Sequence, residues 1–198
     1  MKIVRVAVKR IYTSTRVPAE GSAHDNSLKT SILALLFQEE TLIKALTDEQ
    51  YQFQCPWIKS SIGQHVRHSL DHFTKPLETS NTVVRYDLRD RNTDAENRVK
   101  SAEKALLSIR KSVENLEMDQ MKKSVTVSFM LSADGKECEF LSTLGREMAF
   151  AAHHCIHHNA AIKQILQRHF PICFDQLPSD FGTAPSTTNF HKMTQEKA

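Results

Sequence analysis

The sequence predicts an all-α protein, a four-helix bundle with one small β-hairpin before its last helix. Three observations predict it. Four stretches place apolar residues at helical spacing, and one short stretch alternates instead. The totals, 40% apolar and 25% charged residues in 198, suit one compact domain with a core of its own. Helices of this length each have one face to bury, and packing them side by side is the simplest way to bury all four.

Residues 1–25 read as an N-terminal extension. Lys2, Arg5, Lys9, Arg10 and Arg16 precede the first acid, Glu20, which is the composition of a short mitochondrial targeting segment; a frayed or strand-like terminus is the plainer reading. The helical domain is expected over 26–190, with 191–198 as a loose tail. Asn26 or Ser27 can cap a first helix carrying Ile32, Leu35, Leu36, Leu42, Ile43 and Leu46, which ends between Asp48 and the Cys55-Pro56 break. A second helix starts at Ser60 or Ser61 and runs to about Lys75, where Pro76 interferes. A third fits Asp94 to Leu116, with Ala102, Ala105, Leu106, Ile109, Val113 and Leu116 as its inner stripe. Residues 124–131 alternate, Ala133-Asp134-Gly135-Lys136 is a turn, and Glu137 to Leu141 is the hairpin partner. Ser142 or Thr143 can cap the fourth helix, which Pro171 stops after about His169.

The totals also exclude. A net charge of +3 without a basic stripe gives nucleic acid no footing, since the third helix mixes Lys100, Glu103, Lys104, Arg110, Lys111 and Glu114 like a solvated face. No apolar run reaches the roughly 18 residues of a membrane span, so a soluble chain is expected. Cys55, Cys138, Cys155 and Cys173 lack paired spacing, which fits free thiols in a reducing compartment. The expected location is cytoplasmic, or mitochondrial if residues 1–19 act as a transit segment.

Ten histidines are the unusual feature, three of them between His65 and His72 and four between His153 and His158. At about 100° per residue, His154 and His158 lie on the side of the fourth helix that carries Phe150, Ala151, Ala161, Ile162 and Ile165. His153 and His157 turn toward Arg146 and Gln164. An inward i, i+4 imidazole pair holds a metal ion when a third ligand comes from elsewhere. The second helix offers His65, His68 and His72 on one side; periodicity favours His65 or His72, which border its apolar direction. Isolated helical histidines are more often satisfied surface or core groups. Two clusters on separate helices make a metal the more economical reading, because buried imidazoles need partners.

The run S-I-G-Q-H-V-R-H-S-L-D-H, the distant H-C-I-H-H, the segment Y-D-L-R-D-R-N and the tail F-G-T-A-P-S-T together resemble the DinB/YfiT-like family of metal-dependent enzymes over about residues 26–190. The resemblance implies a four-helix bundle in which one histidine of the second helix joins an H-x-x-x-H pair of the last. Those positions fall on His68, counted from Ser61, and on His154 and His158, with His65, His72 and His157 as alternatives. The chain departs from the usual pattern in having Asn159-Ala160-Ala161 after the last ligand, and in its extra histidines.

Three histidines leave an open coordination position, as catalytic metals have. Zn, Ni or Fe would suit the donors. The resemblance implies thiol-dependent transferase chemistry with a small-molecule substrate, a low-molecular-weight thiol; metal-assisted hydrolysis comes next. A non-catalytic metal-binding or protein-interaction bundle is the alternative, and a homodimer is a candidate assembly. Glu147, on the side of His154 and His158, is a candidate general base or imidazole acceptor, against a plain salt bridge. Arg89 and Arg91 are candidate substrate-binding guanidiniums, against an interhelix ion-pair network. Cys155 points away from His154 by about 100° and reads as a core thiol.

Overall fold

The computed structural model describes residues 23–78 and 83–195. Most of the proposed extension therefore lies outside the described residues. The chain is mostly helical, with four long helices: α1 (Ala23–Lys44), α3 (Ile62–Leu77), α5 (Val99–Glu114) and α7 (Leu144–His169). Short helices α2 (Asp48–Gln52), α4 (Asp94–Asn97) and α6 (Met118–Met121) lie between them, and α8 (Pro171–Phe174) and α9 (Pro185–Gln195) follow. α3 packs on both α5 and α7, and α1 on the same two helices, so all four long helices share one core. Ile32, Leu36, Leu42, Ile62, Phe73, Leu106, Met148, Ile162 and Ile165 are fully enclosed there, each worth roughly 1.5–3 kcal/mol of burial.

The all-α expectation needs amending. The hairpin is present as β2 (Ser124–Met130) and β3 (Glu137–Thr143), closed by a turn with Gly135 at φ 80°. A third strand, β1 (Val83–Arg85), adds parallel to β2, giving the order β1-β2-β3. Parallel pairing needs a long crossover, and α4 to α6 supply it. Val84, Tyr86, Val125 and Val127 form a second small core with Phe150 of α7 packed against it. β1 has three residues and no turn signal on its C-terminal side, so it gives little periodicity to read.

Several helix limits also differ from expectation. α1 begins at Ala23, ahead of the expected cap at Asn26 or Ser27 and inside the proposed extension, and ends at Lys44, because Thr47 caps the separate α2. The third predicted helix is broken at Arg98 (φ −133°, ψ 121°) into α4 and α5. Asp48 takes the Val99 N–H at 2.8 Å and the Arg98 guanidinium at 3.3 Å, so tertiary bonds replace the helical ladder there. α3 continues through Pro76 to Leu77; a proline in the last turn costs one ladder bond, and Glu78 N–H still reaches Thr74 O at 3.0 Å. The segment expected to loosen near the end is helical to Gln195, with Pro185 in its first turn and no glycine or proline after it. No described helix is long and apolar enough to cross a membrane.

Candidate metal centre

The caps of α3 and α7 set the phase of the histidines. Ser61 Oγ accepts from Gln64 N–H at 3.1 Å while Gln64 Oε1 accepts from Ser61 N–H at 2.9 Å, a reciprocal capping box. From that start, His65, His68 and His72 fall on the side facing α7, and His72 is buried. Thr143 Oγ1 caps α7 by accepting from Arg146 N–H at 3.3 Å. His154 and His158 then turn inward while His153 and His157 are exposed, as the periodicity predicted.

Four imidazoles converge between the two helices. His154 Nε2 lies 3.0 Å from His68 Nε2 and 3.0 Å from His158 Nε2. His72 stacks on His154 with ring centroids 4.1 Å apart, and Tyr86 stacks on His72 at 4.8 Å. One ring nitrogen each from His68, His72 and His154 lies within 4.8 Å of the others. His65 stands behind His158, Nδ1 to Nδ1 at 2.8 Å, and its Nε2 meets Ser60 Oγ at 2.8 Å.

Burial is the largest cause holding these rings neutral. The His68 pKa falls to about 2, by burial first and then by His72, His158, Arg89 and His154. His158 falls to about 3 and His154 to about 4 for the same leading reason, and His65 and His72 are lowered too. Neutral imidazoles with lone pairs are what a metal requires. Two nitrogens each about 2.0–2.1 Å from one ion stand roughly 3 Å apart or slightly more, so the spacing fits a shared divalent ion.

The second nitrogens decide how well each ring is set up to ligate. His72 Nδ1–H donates to the His68 carbonyl at 3.1 Å, leaving Nε2 with its lone pair. His158 is served the same way if its Nδ1–H donates to His65 and His65 Nε2–H to Ser60. His68 is different, because Arg89 Nη1 donates to its Nδ1 at 2.7 Å. A guanidinium cannot accept, so a neutral His68 in this arrangement carries its proton on Nε2, and ligation through Nε2 requires the arginine contact to yield.

Glu147 is buried and does not touch the histidines directly. Its carboxylate accepts from Tyr86 O–H at 2.8 Å and Ser142 O–H at 2.5 Å, with Arg146 at 3.6 Å. It reaches the cluster through Tyr86, whose hydroxyl is pushed up by burial and by that carboxylate. Cys155 is a buried thiol donating to Glu39 Oε1 at 3.3 Å, away from the histidines. Two clefts reach the imidazoles. One of about 450 Å³ is lined by His65, His68, His158, Arg89 and Arg91; the other, about 220 Å³, by His72, His154, Tyr86 and Phe150.

No family model matches the chain, and no solved structure matches it. FK506-binding protein 5 of Rhizopus delemar is 36% identical over 116 residues, 57% of this chain and 28% of that protein. The chain thus spans well under a third of that relative's length. A likeness of part to part carries no ligand role to any residue. The arrangement of the histidines, which could hold a metal ion, stands on the geometry alone.

The Ser60–His65–His158 chain and the Tyr86–Glu147 bond were not foreseen. Capping-box chemistry at Ser61 hinted at where Ser60 would lie, but a contact across 61 residues to a buried carboxylate leaves no local signal.

Proposed function

We propose that this chain is a divalent-metal-dependent enzyme with a DinB/YfiT-type bundle, its ion held by His68, His154 and His158, with His72 as the donor that replaces one of them. The observation that carries the reading is the run of three Nε2 atoms spaced 3.0 Å apart across α3 and α7. The shared core of α1, α3, α5 and α7 supports the bundle assignment. Bound there, a divalent ion would supply Lewis acidity, lowering the pKa of a substrate thiol or of water.

The chain's own groups support thiol transfer first and hydrolysis second. His72 is fixed by its Nδ1–H bond and by Tyr86, which is itself anchored on Glu147. Glu147 is therefore a positioning residue acting through Tyr86. His65 lies between His158 Nδ1 and Ser60 Oγ, so a proton leaving the cluster has a path toward the larger cleft. Phe150 and Phe129 wall the smaller cleft and exclude water from one side.

The test is a thiol-transfer assay with glutathione or cysteine and a chromogenic electrophile. Turnover above the uncatalysed rate, lost on chelation, restored by Zn²⁺ or Ni²⁺ and absent in His154→Ala, is the expected result. Turnover indifferent to chelator and to His154→Ala would overturn the reading. One observation favours the non-catalytic alternative: the similar stretch of the Rhizopus protein is a minor part of a longer chain named for binding FK506. A module of that kind would hold metal and show no turnover with any thiol.

A further inference from the structure

The larger cleft beside the histidines carries an imbalance of charge. Arg67 lines it but is neutralised, its Nε 3.2 Å from Glu96 and its Nη1 2.8 Å from Asp71. Arg89 and Arg91 line the same cleft, and no carboxylate of the described residues lies within 4.0 Å of either. Arg89 is half-buried, and its one bond among described residues goes to His68 Nδ1 rather than to an acid. A guanidinium has five N–H donors, so most of its donors remain for something else. Burial, Arg91 and Arg67 outweigh the more distant Asp87 and Asp71 carboxylates at Arg89, so an anion in direct contact would stabilise it further. Among the described residues neither arginine makes a direct ion pair of the interhelix network that the sequence also allowed.

The segment that follows them is held in place. Asn92 has φ 57°, a left-handed conformation uncommon outside glycine, and its N–H donates to the buried Glu96 carboxylate at 3.2 Å. Glu96 also receives Arg67 of α3, so residues 92–96 are tied to the helix that carries His68. Tyr51 O–H adds a bond to Ala95 O at 2.8 Å. Preorganised donors facing an open cleft are how planar anions are gripped.

We propose that Arg89 and Arg91 form an anion-holding subsite, so that the substrate carries a carboxylate or phosphate group beside the atom presented to the histidines. This rests on the metal reading for what the histidines do, but not for what the arginines hold. The shared chemistry is a small oxyanion accepting bidentate guanidinium bonds.

The experiment titrates succinate and, separately, inorganic phosphate into the full chain by calorimetry at low salt, with metal content measured on the same samples. Arg91→Ala, at an exposed position, and Arg89→Lys, which keeps charge but loses the fork, are compared with the parent. Saturable binding of either anion, weakened at least about tenfold by each variant, is expected; the tighter anion names the group. No binding up to about 10 mM, or binding unchanged in both variants, overturns the subsite. Metal held without arginine-dependent anion binding refutes this inference alone. Arginine-dependent anion binding in a chain that holds no metal sustains it and refutes the metal reading.

Discussion

Glu39 is fully enclosed, with Cys155 Sγ–H at 3.3 Å, and burial pushes its carboxyl up to about 7 from 4.5. A raised acid favours folding while it stays protonated. That contribution is fully present below 4.5 and is lost as pH rises through about 7. Glu39→Gln is expected to raise stability by roughly 3 kcal/mol above pH 7.5 and by little below pH 4.5, read from urea unfolding at several pH values. Arg89 makes a second residue-scale prediction. Its guanidinium occupies His68 Nδ1 and adds a positive charge beside the site, so Arg89→Ala is expected to tighten Zn²⁺ binding about tenfold in competition with a chelator. Weaker binding in that variant would mean that His68 ligates without releasing the arginine, or does not ligate. At this scale the inward turn of His154 and His158 was legible, because α7 keeps one uninterrupted period. The choice among His65, His68 and His72 was not, because all three fall on one side of α3 and only contacts with α7 and Arg89 separate them.

Among elements, the junction of α3 with α4 positions the cleft. A Cβ on Gly63 would stand 2.0 Å from Glu96 O and 2.7 Å from the Tyr51 ring, so only glycine lets the two backbones approach. Gly63→Ala is expected to cost about 2–3 kcal/mol in urea denaturation and to weaken anion binding at Arg91, since the displaced backbone carries residues 91–96. Loss of neither would show the junction to be yielding. The long helices were legible from apolar spacing and from Ser61 and Thr143 as caps. The break at Arg98 was not, because Asp48, which takes the freed N–H of Val99, lies on a different element. β1 was hidden for the related reason that a three-residue strand is defined by its partner, here Thr126 to Ser128.

Across the whole molecule, Glu39 and the histidines pull stability in opposite directions with pH. The cluster's pKa values lie below 6.5, so the unfolded chain takes up protons first. The neutral cluster's contribution is full above 6.5 and is lost as pH falls through about 4 and 3. The metal-free chain is expected to lose stability from pH 6.5 downward, and more steeply in Glu39→Gln, where the opposing slope is gone. A flat profile in that variant would contradict the burial of the imidazoles. The proposed divalent ion between α3 and α7 would unite the fold, the neutral rings and the two clefts. The most direct measurement is elemental analysis of untagged protein, alongside His154→Ala and the exposed control His157→Ala. About one ion per chain in the parent and in His157→Ala, and none in His154→Ala, is the predicted result. No ion in the parent after incubation with Zn²⁺ or Ni²⁺, or equal content in His154→Ala, would contradict it.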